Sequence, residues 1–124
     1  MLTSGATYIG RGYTKNLKLL RPLIKDAILH KGFSFLDVLQ ICATYYDVHE
    51  IYDKLVYELE KTEDYTYEEV MEKVREWDYN SPAPIGLGTY YRKKAPTFDE
   101  QVERVRKTPG ERKTLIMRIL EESR

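Results

Sequence analysis

Phe33-Ser34-Phe35-Leu36-Asp37-Val38-Leu39 and the residues that follow it, Gln40-Ile41-Cys42-Ala43-Thr44-Tyr45-Tyr46, decide the reading of this chain. The first seven are apolar at nearly every position and follow Gly32, which reads as a strand covered on both faces. Upstream, Ala6-Thr7-Tyr8-Ile9 is a second apolar, β-leaning run, held between Gly5 and Gly10. Between the two, Leu17, Leu20, Leu23, Ile24, Ala27 and Ile28 recur at helical spacing from Asn16 to His30. Pro22 interrupts that pattern, because its ring and missing N–H disfavour a helix interior. The expectation is a short turn from Asn16, a main helix beginning near Pro22, and a stop at Gly32. Strand, helix and strand at this spacing form a βαβ unit, which implies parallel strands and a right-handed crossover. Cys42 then falls in the loop after the carboxyl end of the second strand, the edge where open α/β sheets bind ligands.

Further along, Val48, Ile51, Tyr52, Leu55, Val56 and Leu59 predict an amphipathic helix over roughly Val48 to Glu60. Thr66 with Glu69 is a capping box, with Tyr67, Val70, Met71, Val74 and Trp77 on one face behind it. Asn80-Ser81-Pro82-Ala83-Pro84 breaks the chain. Ile85-Gly86-Leu87-Gly88-Thr89-Tyr90-Tyr91 reads as a third strand whose glycines allow close backbone approach. Two more capping boxes, Thr97 with Glu100 and Thr108 with Glu111, open helices near the end. The last carries Leu115, Ile116, Ile119 and Leu120 on one face.

The 124 residues predict one domain or part of one. Lys plus Arg number 20 and Asp plus Glu number 20, a balance that argues against a dedicated nucleic-acid or membrane-surface binder. No run approaches the roughly 20 apolar residues of a membrane span. No secretory signal is visible at Met1 to Gly10, so a reduced, cytoplasmic setting is the expectation. One cysteine excludes an internal disulfide framework and a self-contained zinc or iron–sulfur site. Taken alone, Cys42 reads as a buried structural thiol. His30 and His49 read as solvent or capping residues. Gly10-Arg11-Gly12 lacks the context of a phosphate loop. Asp26, Asp37, Asp47 and Asp53 show no spacing that nominates an acid/base pair. The basic cluster Arg104, Arg106, Lys107, Arg112 and Lys113 reads as a solvated helical surface. The 11 tyrosines are scattered along the chain and read as amphipathic packing.

Four segments in this order carry a resemblance. They are Gly5-Ala6-Thr7-Tyr8-Ile9-Gly10-Arg11-Gly12, the block His30 to Thr44, Pro84-Ile85-Gly86-Leu87, and Arg92-Lys93-Lys94-Ala95-Pro96-Thr97-Phe98-Asp99-Glu100. Over roughly residues 3 to 103 the chain resembles the C-terminal half of the β subunit of 2-oxoacid:ferredoxin oxidoreductases. The resemblance implies an α/β fold, part of a three-layer thiamine-diphosphate-binding domain. That part would hold about three mostly parallel strands and flanking helices. Residues 1–105 would form it and 106–124 a helical tail.

The family's activity is oxidative decarboxylation of a 2-oxoacid to an acyl-CoA, with electrons passed through a [4Fe–4S] cluster to ferredoxin. Its cofactors are thiamine diphosphate, Mg²⁺ and that cluster. By the same resemblance Cys42 is the candidate fourth ligand of the cluster. The chain has no Cys-x-x-Cys and no Gly-Asp-Gly, so alone it is expected to bind none of these groups and to be inactive. The expected partners are the polypeptide carrying the N-terminal half, the α and other oxidoreductase subunits, and ferredoxin. The competing reading is a non-catalytic α/β module, or a remnant domain, that docks a protein partner.

Overall fold

The computed structural model describes residues 1–60, 65–77, 82–106 and 109–122, with part of the side chains in the last two helices. Strand β1 (Tyr8–Tyr13), helix α1 (Leu17–Leu29) and strand β2 (Ser34–Leu39) follow in sequence. β1 and β2 pair in parallel, from Tyr8 opposite Ser34 to Tyr13 opposite Leu39, as the βαβ reading requires. Gly10-Arg11-Gly12 lies inside β1 rather than in a loop, so it is no phosphate cradle.

α1 starts earlier than the proline predicts. Asn16 caps it, its side-chain oxygen accepting from the Leu19 N–H at 3.2 Å, and Pro22 sits within the helix. An interior proline costs about 3 kcal/mol. Burying Leu20 and Leu23 beneath the same helix returns about 1.5–3 kcal/mol each. Pro22 itself faces outward, where water reaches the backbone it leaves unpaired.

The predicted helix over Val48–Glu60 is divided. α2 (His49–Leu55) ends where Val56–Glu58 becomes strand β3, paired in parallel with strand β4 (Ile85–Arg92). A helical apolar period and a short β-branched, aromatic strand cannot be told apart here by spacing. The backbone of Ile85–Leu87 decides it, because a vacant ladder beside Val56 and Tyr57 outweighs local propensity. The Leu59 N–H extends the ladder to the Leu87 carbonyl at 2.8 Å. Helix α3 (Tyr67–Arg75) carries the predicted capping box, Thr66 N–H to Glu69 Oε2 at 2.7 Å and Glu69 N–H to Thr66 Oγ1 at 3.3 Å. The Thr97–Glu100 box opens α4 (Phe98–Arg106) in the same way. α5 (Pro109–Glu122) closes the described chain. Asn80, Ser81 and Thr108 lie outside the described residues, as do the side chains of Arg104, Arg106, Lys107, Arg112, Leu115 and Ile119.

The sheet has four strands in the order β2-β1-β4-β3, one more than the sequence reading counts. Two of the three pairings are parallel. β1 and β4 meet antiparallel, with a register shift between Ile9 and Gly10. Core residues gather in two clusters. Ala6, Ile9, Val70 and Tyr90 form one cluster, and Tyr13, Leu39, Ile85 and Leu87 the other. Gly86 serves the close approach expected of it: the Tyr90 hydroxyl donates to its carbonyl at 2.7 Å, and Leu59 packs against its Cα. One expectation fails at β2. It is an edge strand with most of its residues only half-buried, not a strand covered on both faces.

Candidate functional site

Because β1 and β2 run in parallel, their carboxyl ends lie on the same side of the sheet. The Thr14 N–H bonds the Leu39 carbonyl at 3.0 Å and holds the two exits together. From Leu39 the chain enters a tight loop closed on itself. The Cys42 N–H donates to the Tyr46 carbonyl at 3.2 Å, and the Tyr46 N–H to the Cys42 carbonyl at 2.9 Å. Cys42 is exposed at this loop, so its reading as a buried structural thiol does not hold. Hydrogen bonding from the backbone of Tyr45 and Thr44 lowers the thiol's pKa. Hydrogen bonds to the charged form of a group favour that form, so the loop is built to carry a thiolate. Tyr45 stands 91 % exposed beside it, and Tyr46 is also exposed.

The other side chains at this edge are committed to one another. Asp53 on α2 accepts from the Tyr13 hydroxyl at 3.0 Å and pairs with Lys15 at 2.5 Å. The Lys15 hydrogen bond holds the Asp53 carboxyl below its usual range, and the Asp53 hydrogen bond adds to burial in pushing Tyr13 up to about 12. Asp47 pairs with the His49 ring and accepts from the His49 N–H at 3.4 Å, which depresses the Asp47 carboxyl. Asp26 faces Arg92 across 4.0 Å. Each carboxylate weighed in the sequence therefore has a structural partner.

Asp37 belongs to an arrangement that spacing did not reveal. Opposite it in register, Arg11 donates to its Oδ2 at 2.8 Å and to the Tyr90 hydroxyl at 3.3 Å. The guanidinium also lies over the rings of Trp77 and Tyr90, 4.8 and 5.4 Å from their centroids. The β1–β2 register brings Arg11 and Asp37 together, and β4 and the segment after α3 add Tyr90 and Trp77. The group braces α3's end of the sheet and holds one charge of each sign in balance.

His30 is the C-cap residue of α1, as the capping reading has it, and it is half-buried rather than free in solvent. Its Nε2 meets the Thr7 hydroxyl at 2.9 Å and its ring lies 5.6 Å from that of Tyr8. Burial, with Arg92 nearby, lowers its pKa. The unfolded chain then takes up a proton near pH 6.5 that the folded one resists, so stability is full above that pH and falls below it. Thermal melts are expected to drop between about pH 7 and 5.5, and His30→Gln is expected to flatten that slope.

Among the described residues no group of three or more His, Cys, Asp or Glu comes together to hold a metal ion. The residues here fit one thiolate corner of an iron–sulfur cluster. Among the described residues no carboxylate set for Mg²⁺ and a diphosphate comes together. Nor is any helix among the described residues long and apolar enough to cross a membrane.

A mixed four-stranded sheet with helices on its faces, and an exposed cysteine in a tight loop after a parallel edge strand, define an α/β protein in outline. Comparison with known proteins makes this specific. The chain is 37 % identical over 114 residues to the 2-oxoacid:ferredoxin oxidoreductase subunit beta of a Sulfolobus species, which covers 82 % of this chain and 37 % of that protein. It is 36 % identical over 115 residues to the subunit of the same name from Saccharolobus solfataricus, with the same coverage of each. A solved 2-oxoglutarate:ferredoxin oxidoreductase from Magnetococcus marinus, with 2-oxoglutarate, coenzyme A and succinyl-CoA bound to it, superposes with a TM-score of 0.75. It is 26 % identical and covers 95 % of this chain and 42 % of its own. No protein-family model matches the chain. The chain is a homologue of the β subunits of 2-oxoacid:ferredoxin oxidoreductases, corresponding to a C-terminal portion of them. It spans under two-fifths of the length of these curated relatives.

Proposed function

We propose that this chain is a working part of a 2-oxoacid:ferredoxin oxidoreductase β subunit, and that Cys42 is its contribution to the electron path. The observation that carries this is the loop closed between Cys42 and Tyr46, which holds the cysteine exposed after β2, where backbone hydrogen bonding lowers the thiol's pKa. Thiolates are the ligands of [4Fe–4S] clusters, and hydrogen bonds to sulfur tune the cluster's potential. When bound, such a cluster relays electrons from the oxidised 2-oxoacid to ferredoxin. The part played by this chain is narrower. Leu39 and Val48, buried on either side of the loop, fix its ends, and the loop holds Cys42 outward where three further thiolates from another part of the subunit can complete the set. Those thiolates, the thiamine diphosphate and the Mg²⁺ are supplied by sequence this chain does not span. Residues 1–105 are the C-terminal part of the domain and 106–124 a helical tail. A cytoplasmic enzyme with α subunit, ferredoxin and no nucleic acid or membrane among its partners is the setting this implies.

Purification of the chain under anaerobic conditions from its source tests the proposal. It is expected to elute with the remaining oxidoreductase subunits and with iron and acid-labile sulfide. Elution as a folded chain with a partner unrelated to any oxidoreductase would favour the docking-module alternative and remove this reading.

A further inference from the structure

Neither apolar cluster of the fold includes a described residue of α5. Every residue of this helix whose exposure the structure describes stands in solvent, and Ile116, Met117 and Leu120 are 49 %, 50 % and 56 % exposed. A helix of 14 residues is only marginally stable in water by itself, so an apolar face of this kind is matched to a partner surface.

The charges on α5 identify that partner. Lys113, Ile116, Met117, Leu120 and Glu121 are spaced i, i+3, i+4, i+7 and i+8, which places them on one stripe of the helix. The stripe is apolar in its middle, basic at its amino end and acidic at its carboxyl end, and Arg118 falls on the opposite side by the same spacing. Within a single helix this order is unfavourable. The macrodipole prefers anions at the start and cations at the end. Near the start of α5, Arg112 and Lys113 outnumber Glu111, and its last turn holds acidic residues and no basic one. A second α5 turned end for end reverses the conflict. It presents Glu121 where the first presents Lys113, and the two apolar middles coincide. We propose that α5 is a self-association element whose stripe pairs antiparallel with that of a second copy of this chain. A two-fold axis relates the copies, so each Lys113 meets the partner's Glu121 and both ends are matched by charge. This goes beyond the β-subunit reading and does not depend on it.

Sedimentation of the whole chain at rising concentration tests the proposal. The parent is expected to form dimers. Lys113→Glu and Glu121→Lys are each expected to weaken the dimer at least about tenfold, because each sets like charges against one another at both ends of the pair. Both positions are exposed, so neither change disturbs the core. Mixing the two variants is expected to restore the dimer, since one copy then carries two acidic ends and the other two basic ends. A parent chain that stays monomeric would overturn the proposal. So would dimers of equal strength in the parent and both variants, which would place the contact elsewhere on the chain. Dimers weakened by both changes but not restored on mixing would overturn the antiparallel pairing. None of these outcomes touches the β-subunit assignment, which is removed only by recovery from the source without any oxidoreductase subunit.

Discussion

Gly32→Ala is expected to lower the melting temperature of the chain by roughly 10 °C, the largest single-residue effect in the fold. Gly32 has φ 131°, a conformation that L side chains rarely adopt, and holding one there costs of order 1–3 kcal/mol. A Cβ at this position would also overlap the Thr7 hydroxyl. That oxygen accepts from the Phe33 N–H at 2.9 Å and meets His30 Nε2 at 2.9 Å, so displacing it breaks the link between α1's end, β1 and the start of β2. Two lost hydrogen bonds add about 1–3 kcal/mol. Gly5→Ala is the control, because Gly5 has φ 85° and nothing within 4 Å of a built Cβ. It is expected to show the strain without the collision and to melt between the parent and Gly32→Ala. Equal losses in the two variants would show that the Thr7 network contributes nothing.

Cys42→Ser is expected to leave the isolated chain's stability within about 0.5 kcal/mol of the parent, since the side chain is exposed. In the purified oxidoreductase the same change is expected to abolish most of the [4Fe–4S] signal in electron paramagnetic resonance. Changes to residues that only support a metal's ligands already cost about 10–100-fold in affinity, and loss of a direct sulfur ligand should exceed that. A fully occupied cluster with an unaltered spectrum in the variant would remove Cys42 from the ligand set. Alkylation of the isolated parent chain gives an independent readout. Hydrogen bonding from the backbone of Tyr45 and Thr44 lowers the thiol's pKa, so iodoacetamide is expected to react faster than with an unstructured cysteine at neutral pH.

Local signals carried much of this molecule. The capping boxes at Thr66 and Thr97 form as written because each needs only four consecutive residues. The β1–α1–β2 unit is legible because a β-period run, a helical period and a second β-period run follow one another at crossover length. The position of Cys42 after β2 comes with it, as does the kinship, which rests on segments in a fixed order.

Errors in the reading share a cause. Pro22 and Val56–Glu58 are places where local preference points one way and a distant partner the other. In α1 the buried leucines outweigh a proline. At β3 the open ladder of β4 outweighs a helical period that Val56 and Leu59 satisfy equally well. The antiparallel meeting of β1 and β4 leaves no mark in either strand's residues.

What the amino-acid order determined by itself is the α/β class, the βαβ unit, the caps and the loop that presents one cysteine. Tertiary structure alone decided which side chains meet. Arg11, Asp37, Trp77 and Tyr90 are separated by up to 79 residues and share a site through strand register and the segment after α3. It also decided that Cys42 is exposed where backbone hydrogen bonding lowers its pKa, and that β2, apolar enough for an interior, stands at the edge. The reason is physical. Propensity and periodicity act over a few residues, whereas burial and ladder pairing are properties of surfaces assembled from the whole chain.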